Sequence, residues 1–212
     1  MSQPCNRSGA VALPGQLDSS LGEFWVQNPW EIVAHGHNLS AYERNRVFLN
    51  VKGQDFLDIS HLTGADSDGD GRAVVAADFR NAGQLDLIVR QAGGGPLLLF
   101  ENRLPRRNYL QVSLHGRTSN RQGIGARLTI TAQGQQQVRE MYPANSFYSQ
   151  APNIAHFGLA DADRVEKLTI RWPSGKVQTL TNVATNRHIV VDEGKDGADA
   201  VETVVPGRSL AP

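Results

Sequence analysis

The sequence predicts an all-β protein, and three observations support that prediction. Glycine and proline are frequent, with 21 and 10 residues in a chain of 212, and they divide the chain at short intervals. The runs between them are short and rich in Val, Ile, Leu, Thr and Phe, as is typical of successive strands. No stretch keeps a helical period of apolar residues over three turns.

Two series of strands are expected, and a break at "ENRLPRRNYL" separates them. The first series is predicted at Arg46–Asn50, Phe56–Ile59, Ala73–Ala77, Leu85–Val89 and Leu97–Phe100. The second series is predicted at Tyr109–Leu114, Ala126–Thr131, Gln136–Met141, Ile154–Phe157, Lys167–Arg171, Val177–Leu180 and His188–Val191. Pro105 and the basic residues around it interrupt the pattern, which places a domain boundary near residue 104.

The predicted organisation has four parts. Residues 1–45 are a poorly defined leader, and residues 46–104 hold the first strand series. Residues 105–193 form a module of the size of a β-sandwich, and residues 194–212 are expected to be a flexible tail.

The composition excludes several classes of function. Lys plus Arg equals Asp plus Glu at 21 each, so the net charge of zero gives no sign of a nucleic-acid partner or an anionic membrane surface. No apolar run reaches the roughly 20 residues that span a bilayer. The N-terminus lacks an apolar core of signal-peptide length, so no export signal is expected in the chain as written. The single cysteine, Cys5, excludes an internal disulfide framework and a cysteine-based zinc cluster.

An acidic segment, "GADSDGDGRAVVAADF" at residues 64–79, is the strongest metal-binding signal. Asp66, Asp68 and Asp70 stand at positions 1, 3 and 5 of a calcium-loop pattern, and Gly71 stands at position 6, where the backbone turns. Because clustered carboxylates repel one another, this spacing favours a bound cation.

The acidic segment lacks the last carboxylate of both calcium-loop templates. Ala77 stands where the EF-hand loop needs a bidentate Glu, and Val74 stands where the shorter loop of β-propeller repeats needs an Asp. Two interpretations therefore remain open, a calcium site and a turn in which Asp and Gly are favoured for their backbone behaviour alone.

A second, weaker copy of the calcium pattern begins at Asp78. Asp78 and Asp86 stand at its positions 1 and 9 and Gly83 at position 6, but Arg80 replaces a middle carboxylate. Since Arg80 would place a positive charge at a ligand position, a turn is favoured here. The two carboxylates either pair with that arginine or complete the first site.

The order of these pieces resembles a known arrangement. "NRVFLNVKGQDFLDIS" and "AADFRNAGQLDLIVRQAGGGPLLLFEN" resemble FG-GAP/VCBS-type repeats of β-propellers. "LQVSLHGRTSNRQGIGARLTI", "SFYSQAPNIAHFGLADADRVEKLTIRWPSG" and "NVATNRHIVVDE" resemble the ASPIC/UnbV domain of cartilage acidic protein-like and many bacterial propeller proteins. Together these segments cover about residues 46 to 193.

The resemblance implies a partial β-propeller-type repeat region followed by a β-sandwich-like ASPIC/UnbV module. Proteins of this arrangement are usually exported and carry several repeats that close into a ring, which implies an extracellular, cell-surface or periplasmic location. A propeller typically needs four or more blades of four strands, and residues 46–101 supply little more than one. The chain is therefore either part of a longer exported protein, or its partial blade packs against the sandwich.

The sequence shows no catalytic constellation, whereas one loop has the composition of a binding site. No G-x-S-x-G elbow is present, and His115, His156 and His188 are expected to be core or rim residues with satisfied nitrogens. The loop is aromatic and polar, a combination that suits sugar or peptide recognition on a β-sandwich. Its candidate ligand-binding residues are Asn145, Phe147, Tyr148 and Gln150. The alternative interpretation is that the two aromatic residues cover one end of the core.

Three classes of function follow from these observations. The leading prediction is a non-catalytic, calcium-stabilised binding or adhesion module whose partner is a glycan or an extracellular protein. One rival is a calcium-dependent enzyme acting on polysaccharide, and another is a structural accessory subunit of a larger assembly. In the last case, open sheet edges would serve as contacts, because unpaired edge strands invite self-association.

Overall fold

A computed structural model describes residues 2–3, 20, 24–25, 44–51, 53–67, 69, 71–91, 96–142, 144–145 and 149–204. The chain divides into two compact units. The first comprises Met1–Val74 and Ile88–Phe100, and the second comprises Val75–Leu87 and Glu101–Pro212. The break after Phe100 lies close to the boundary predicted near residue 104. The sequence did not predict that residues 75–87 belong to the second unit.

Nearly all regular structure in the described residues is β-strand, which confirms the predicted all-β class. The strands before the predicted boundary are β1 (Ser2–Gln3), β2 (Phe24–Trp25), β3 (Phe48–Val51), β4 (Asp55–Asp58), β5 (Gly71–Ala77), β6 (Asp86–Gln91) and β7 (Leu98–Phe100). The later strands are β8 (Asn108–His115), β9 (Arg127–Ala132), β10 (Gln135–Glu140), β11 (Ala144–Asn145), β12 (Ser149–Gln150), β13 (Ala155–Ala160), β14 (Arg164–Arg171), β15 (Val177–Ala184), β16 (Arg187–Asp192) and β17 (Val201–Thr203). A four-residue α-helix, α1, spans Ser60–Thr63.

The second unit contains a β-sandwich of two four-stranded sheets. One sheet has the order β10-β9-β14-β15 and is antiparallel throughout. The other has the order β13-β8-β16-β17, in which β8 and β16 run parallel. Alternate residues of the central strands face inward, as in β8, where Leu110, Val112 and Leu114 are buried. The hydrophobic core of the described residues lies between these sheets, from Leu110 to Ala200.

The strands of the first unit leave much of their apolar surface exposed. β3 and β4 pair as an antiparallel hairpin in which Leu49 lies opposite Leu57. Phe48 and Phe56, also on this hairpin, are 55% and 61% exposed. β7 also belongs to the first unit and is the last strand of a three-stranded sheet with the order β5-β6-β7, and its Leu99 is exposed as well. Among the described residues, the hairpin therefore has an apolar surface without a core of its own.

The structure differs from the expected flexible tail after residue 193. A 3-10 helix spans Gly197–Ala200, and β17 follows it directly. Ala200 is 2% exposed and belongs to the core of the sandwich, while β17 adds an edge strand to the second sheet. Ala200, Val201 packed against the core, and backbone pairing with β16 hold this segment, and so short an apolar stretch gives no strong sequence signal. Residues 205–212 lie outside the described part of the chain.

Candidate functional site

The first acidic segment is only partly within the described residues. Asp68 and Asp70 lie outside them. Asp66 accepts a hydrogen bond of 3.0 Å from Nη1 of Arg44, and the guanidinium also donates to the Asp66 carbonyl at 3.1 Å. Among the residues the structure describes, no three His, Cys, Asp or Glu side chains are grouped so as to hold a metal ion. Calcium binding by this segment therefore stays a prediction.

In the second acidic copy, the carboxylate of Asp78 accepts backbone N–H groups and the carboxylate of Asp86 pairs with Arg80. Asp86 is 2% exposed, and its Oδ1 and Oδ2 accept from Nη2 and Nε of Arg80 at 3.0 and 3.2 Å. Burial raises the pKa of Asp86, but the Asn102 amide and the Arg80 guanidinium outweigh burial, so the pKa is lowered overall. The sequence left two alternatives for these carboxylates, and the structure contains one of them, the pairing of Asp86 with Arg80.

Asp78 closes the turn between β5 and β6. Its two oxygens accept the backbone N–H groups of Ala82 at 2.8 Å and Gly83 at 2.7 Å. Oδ2 also accepts from Nε2 of Gln111, on the outer face of the second sheet, at 3.0 Å. Gly83 has a φ of +80°, and a Cβ at this position would collide with the ring of Tyr109. Asp78 and Gly83 thus act in the same turn, which fits the structural role that Asp and Gly often have in turns.

The predicted aromatic and polar loop also falls only partly within the described residues. Phe147 and Tyr148 lie outside them. Asn145 lies in β11 and pairs with Ser149 of β12, and the side chain of Gln150 is exposed. The role of this loop in ligand binding stays a prediction.

A buried carboxylate, which the sequence reasoning missed, organises one end of the sandwich. Glu193 is 3% exposed. Its Oε2 accepts the backbone N–H groups of Arg117, Thr118 and Ser119 at 2.6, 2.9 and 2.8 Å. Its Oε1 accepts the hydroxyls of Ser119 and Ser174 at 2.8 and 2.6 Å. Five donors on one carboxylate tie the loop after β8 to the turn between β14 and β15.

Hydrogen bonds also lower the pKa values of the two neighbouring carboxylates at this end of the sandwich, Glu193 and Asp192. Burial raises the pKa of Glu193, but the Ser174 hydroxyl and the surrounding amides lower it further than burial raises it, to about 2. The pKa of Asp192 is also lowered to about 2, chiefly because Nη2 of Arg117 donates to it at 2.7 Å. Both carboxylates are therefore ionised in neutral solution and hold the loop after β8 in one place.

A buried amide extends this network to the segment between β16 and β17. Gln178, at the start of β15, is 3% exposed. Its Oε1 accepts from Nε1 of Trp172 at 2.9 Å, and its Nε2 donates to the carbonyls of Asp192 and Lys195 at 3.2 and 2.8 Å. All the hydrogen-bonding groups of the Gln178 side chain are used. The 3-10 helix after Lys195 therefore starts from a fixed position beside β15.

Between β15 and β17 the sandwich opens into a cleft of about 520 Å³, called the edge cleft here. β15 is the last strand of one sheet and β17 is the last strand of the other, so neither edge has a neighbouring strand among the described residues. The described residues that line the edge cleft are Thr179, Leu180, Thr181, Asn182, Val183, Ala184, Arg187, Ile189, Gly197, Ala198, Val201 and Thr203. Its volume lies within the range of small-molecule and peptide side-chain sites.

The lining of the edge cleft combines an apolar floor with a polar rim. Leu180 and Ile189 are 5% and 1% exposed and belong to the core. Thr179 and Thr181 are exposed on the rim. Arg187 is exposed as well, and its Nε donates to the Thr185 carbonyl at 3.4 Å. An apolar floor with hydroxyl groups and one cation on the rim can contact a ligand by burial of apolar area, by hydrogen bonds and by charge.

A local irregularity of β15 shapes the cleft. Asn182 has a φ of +53°, an uncommon conformation that Asn tolerates better than most residues. Leu180 and Val183 both pack against the core although they stand three positions apart, so the alternation of a regular strand is interrupted between them.

One serine and one histidine lie close together on the outer face of the second sheet. Oγ of Ser113 is 2.8 Å from Nε2 of His188. Burial lowers the pKa of His188, which favours the neutral ring, and the tautomer of that ring decides which of the two atoms donates the hydrogen bond. A nucleophilic site normally has a third group that orients the imidazole, and none bonds to His188 among the described residues. His156 likewise uses Nε2, 2.9 Å from the Gly83 carbonyl oxygen, so both histidines have a partner, as predicted.

Comparison with known proteins agrees with the rear part of the sequence resemblance. Residues 116–198 match the family model described as "ASPIC and UnbV". These residues include the loop held by Glu193, the turn at Ser174 and the first two residues, Gly197 and Ala198, of the 3-10 helix that lines the edge cleft. The larger part of the sandwich is thus similar to the ASPIC/UnbV domain, and the match spans less than half of the chain. A search of curated proteins finds no match.

No helix in the described part of the chain is long and apolar enough to cross a membrane.

Proposed function

We propose that the sandwich is a non-catalytic binding module and that its ligand occupies the edge cleft. The observation that supports this proposal is the cleft itself, open between two unpaired strand edges. The buried side chain of Gln178 holds the segment that leads into the 3-10 helix of the cleft, because its Nε2 donates to the Lys195 carbonyl. A braced site binds with a smaller loss of conformational entropy than a flexible one.

The proposal extends to the features that the sequence resemblance implies. The first unit is an FG-GAP/VCBS-type repeat region, and its acidic segment binds calcium through Asp66, Asp68 and Asp70. The module acts outside the cell or in the periplasm, where a calcium-stabilised adhesion or binding role is chemically suited to millimolar calcium. Its partner is a glycan or an extracellular protein.

A second candidate function, assembly into a larger complex, is favoured by the hairpin of the first unit. Leu49 and Leu57 lie opposite each other on β3 and β4 and are 45% and 50% exposed. Phe56 of the same hairpin is 61% exposed. Exposed apolar groups grouped in this way are typical of surfaces that another protein covers.

The binding proposal is tested by blocking the cleft. Ala198 lines it and is exposed, so Ala198→Trp places a large ring in the cleft at little cost to the core. Wild-type and variant proteins are applied to a glycan array and to a display library of extended peptides. We expect ligands of the wild type to lose at least about tenfold in affinity, because the bulky ring removes contact area.

A matched control separates the cleft from the aromatic and polar loop. Ala144→Trp makes the same change at an exposed position in β11, beside that loop. Loss of binding in Ala198→Trp alone supports the edge cleft, whereas loss in Ala144→Trp alone assigns the ligand to the loop. A wild type that binds nothing in either collection contradicts the binding function.

A further inference from the structure

We propose that the edge cleft takes an extended, acidic peptide segment of a partner protein, which adds to the open edge of β15 and pairs a carboxylate with Arg187. This inference rests on the proposed binding function and deepens it, since it names the class of ligand.

The backbone of β15 can accept an added strand on the side that faces away from β14. This strand has eight residues and pairs only with β14, so alternate N–H and C=O groups along its other side are unpaired within the described structure. An incoming extended segment satisfies such groups with a ladder of hydrogen bonds, which is a common mode of peptide recognition. β15 is long enough for about three such pairs.

The lining of the cleft also suits an added strand. Thr179 and Thr181 are β-branched and exposed, as suits a strand that accepts a neighbour. Beneath them, Leu180 and Ile189 offer an apolar floor. Because side chains of an extended peptide alternate between faces, every second one would enter the cleft and the others would face solvent.

The charge of the cleft favours an acidic ligand. Arg187 is the one charged side chain among the described lining residues of the cleft. Its guanidinium donates to a backbone carbonyl at 3.4 Å and forms no ion pair with any described carboxylate. A planar guanidinium presents several donors in a fork that matches a carboxylate, so an Asp or Glu side chain of the ligand is its best complement.

The same lining argues against a glycan as the ligand of this cleft. Sugar sites on β-sandwiches commonly use an aromatic ring as a stacking platform. None of the described lining residues is aromatic, whereas both flanking elements are strand edges. A polypeptide backbone is complementary to a strand edge, and a sugar ring is not.

The test measures binding of one labelled peptide to the full chain by fluorescence anisotropy. The peptide alternates Val and Thr and carries two Glu residues. Two matched peptides serve as controls: one replaces Glu by Gln, and the other carries N-methyl groups on alternate amides, which removes backbone donors. We expect the acidic peptide to bind, the Gln peptide to bind about tenfold more weakly, and the N-methylated peptide not to bind.

The protein variants separate the charge from the fold. Arg187→Gln removes the cation of the cleft, and Arg171→Gln makes the same change at an exposed position of the neighbouring strand β14, outside the cleft. We expect the acidic peptide to lose about tenfold in affinity for Arg187→Gln and to bind Arg171→Gln as it binds the wild type. Arg187 is exposed, so its replacement leaves the core intact.

Each other result overturns the inference in a distinguishable way. Equal binding of the acidic peptide to both arginine variants, or undiminished binding of the N-methylated peptide, contradicts it and leaves the binding function standing. Binding of a glycan that Ala198→Trp abolishes, with no peptide bound, contradicts the peptide inference and keeps the cleft as the site. If neither peptides nor glycans bind, the proposed function fails with it.

Discussion

Glu193 illustrates at the scale of one residue why a carboxylate can be buried in this sandwich. An isolated charge in a core is costly, but here three backbone amides and two hydroxyls replace the lost water. Consecutive N–H groups that converge on one oxygen form an anion-binding nest made by the chain itself. The glycine-rich loop after β8 therefore has its conformation set by a side chain that is far away in sequence.

We predict that Glu193→Gln destabilises the protein by about 2–3 kcal/mol, because one charged acceptor is replaced by a neutral amide whose NH₂ group faces donors. For a chain of this size the midpoint of thermal unfolding should fall by roughly 5–10 °C. The measurement is thermal unfolding followed by circular dichroism. Glu202→Gln, at an exposed position of β17, is the matched control and should unfold like the wild type.

The pH dependence of stability provides a second readout of the same substitution. The pKa of Glu193 is lowered from 4.5 to about 2 on folding, so its contribution is fully present above pH 4.5 and is lost as the pH falls towards 2. The unfolding midpoint of the wild type should thus drop more steeply over this window than that of Glu193→Gln. Identical slopes for the two proteins would show that Glu193 is not held as a buried anion.

At the scale of strands and loops, the sequence predicts the position of most elements but not their edges or their partners. Each predicted strand has an observed counterpart, because apolar runs bounded by glycine and proline are a local signal. The interruption at Asn182 and the short strand β17 were missed. Both depend on packing between sheets, which no local pattern records.

In the candidate site, too, the sequence predicts features with a local signal and misses those that depend on contacts distant in sequence. The spacing of Asp78 and Asp86 resembles a calcium loop, but Arg80 between them favours a turn; in the structure Asp78 closes that turn and Asp86 pairs with Arg80. Gln178, beside the edge cleft, stands in a strand-like run, and Glu193, which holds the loop after β8, directly follows one; a polar residue at such a place gives no particular signal. The only local indication was a Glu that directly ends the apolar run "HIVVDE". Burial of these two side chains follows from the pairing of β8 with β16 and of β14 with β15, which are contacts distant in sequence.

The acidic segment with Asp66, Asp68 and Asp70 allows a prediction about stability in the presence of calcium. If the segment binds calcium with a dissociation constant near 10 µM, a hundredfold excess of calcium stabilises the protein by about 2.7 kcal/mol. The unfolding midpoint should then rise by roughly 5–10 °C with calcium and not with magnesium. The double variant Asp68→Asn, Asp70→Asn should lose the shift, whereas Asp199→Asn should keep it. A wild type that melts at the same temperature with calcium and with a chelator would leave the segment a turn.

At the scale of the whole molecule, the two units differ in how their apolar residues are used. The second unit buries Phe157, Trp172 and the other members of its core almost completely. In the first unit several large apolar side chains of the described strands are half exposed or more, namely Phe48, Phe56, Leu57 and Leu99. Since burial of apolar area is the main favourable contribution to association, the hairpin of β3 and β4 is the surface most suited to a second copy or a larger assembly.

This difference predicts that the full chain self-associates through the hairpin. Sedimentation velocity should show a weight-average mass that rises with concentration. Leu49→Glu combined with Leu57→Lys removes the apolar pair and replaces it with opposite charges, which remain compatible with cross-strand pairing. We expect this variant to sediment as a monomer, and Leu104→Lys, which alters an exposed leucine of the second unit, to associate like the wild type. If Leu104→Lys disperses the oligomer and the hairpin variant does not, the contact belongs to the second unit, and the edge strands become the surface to examine.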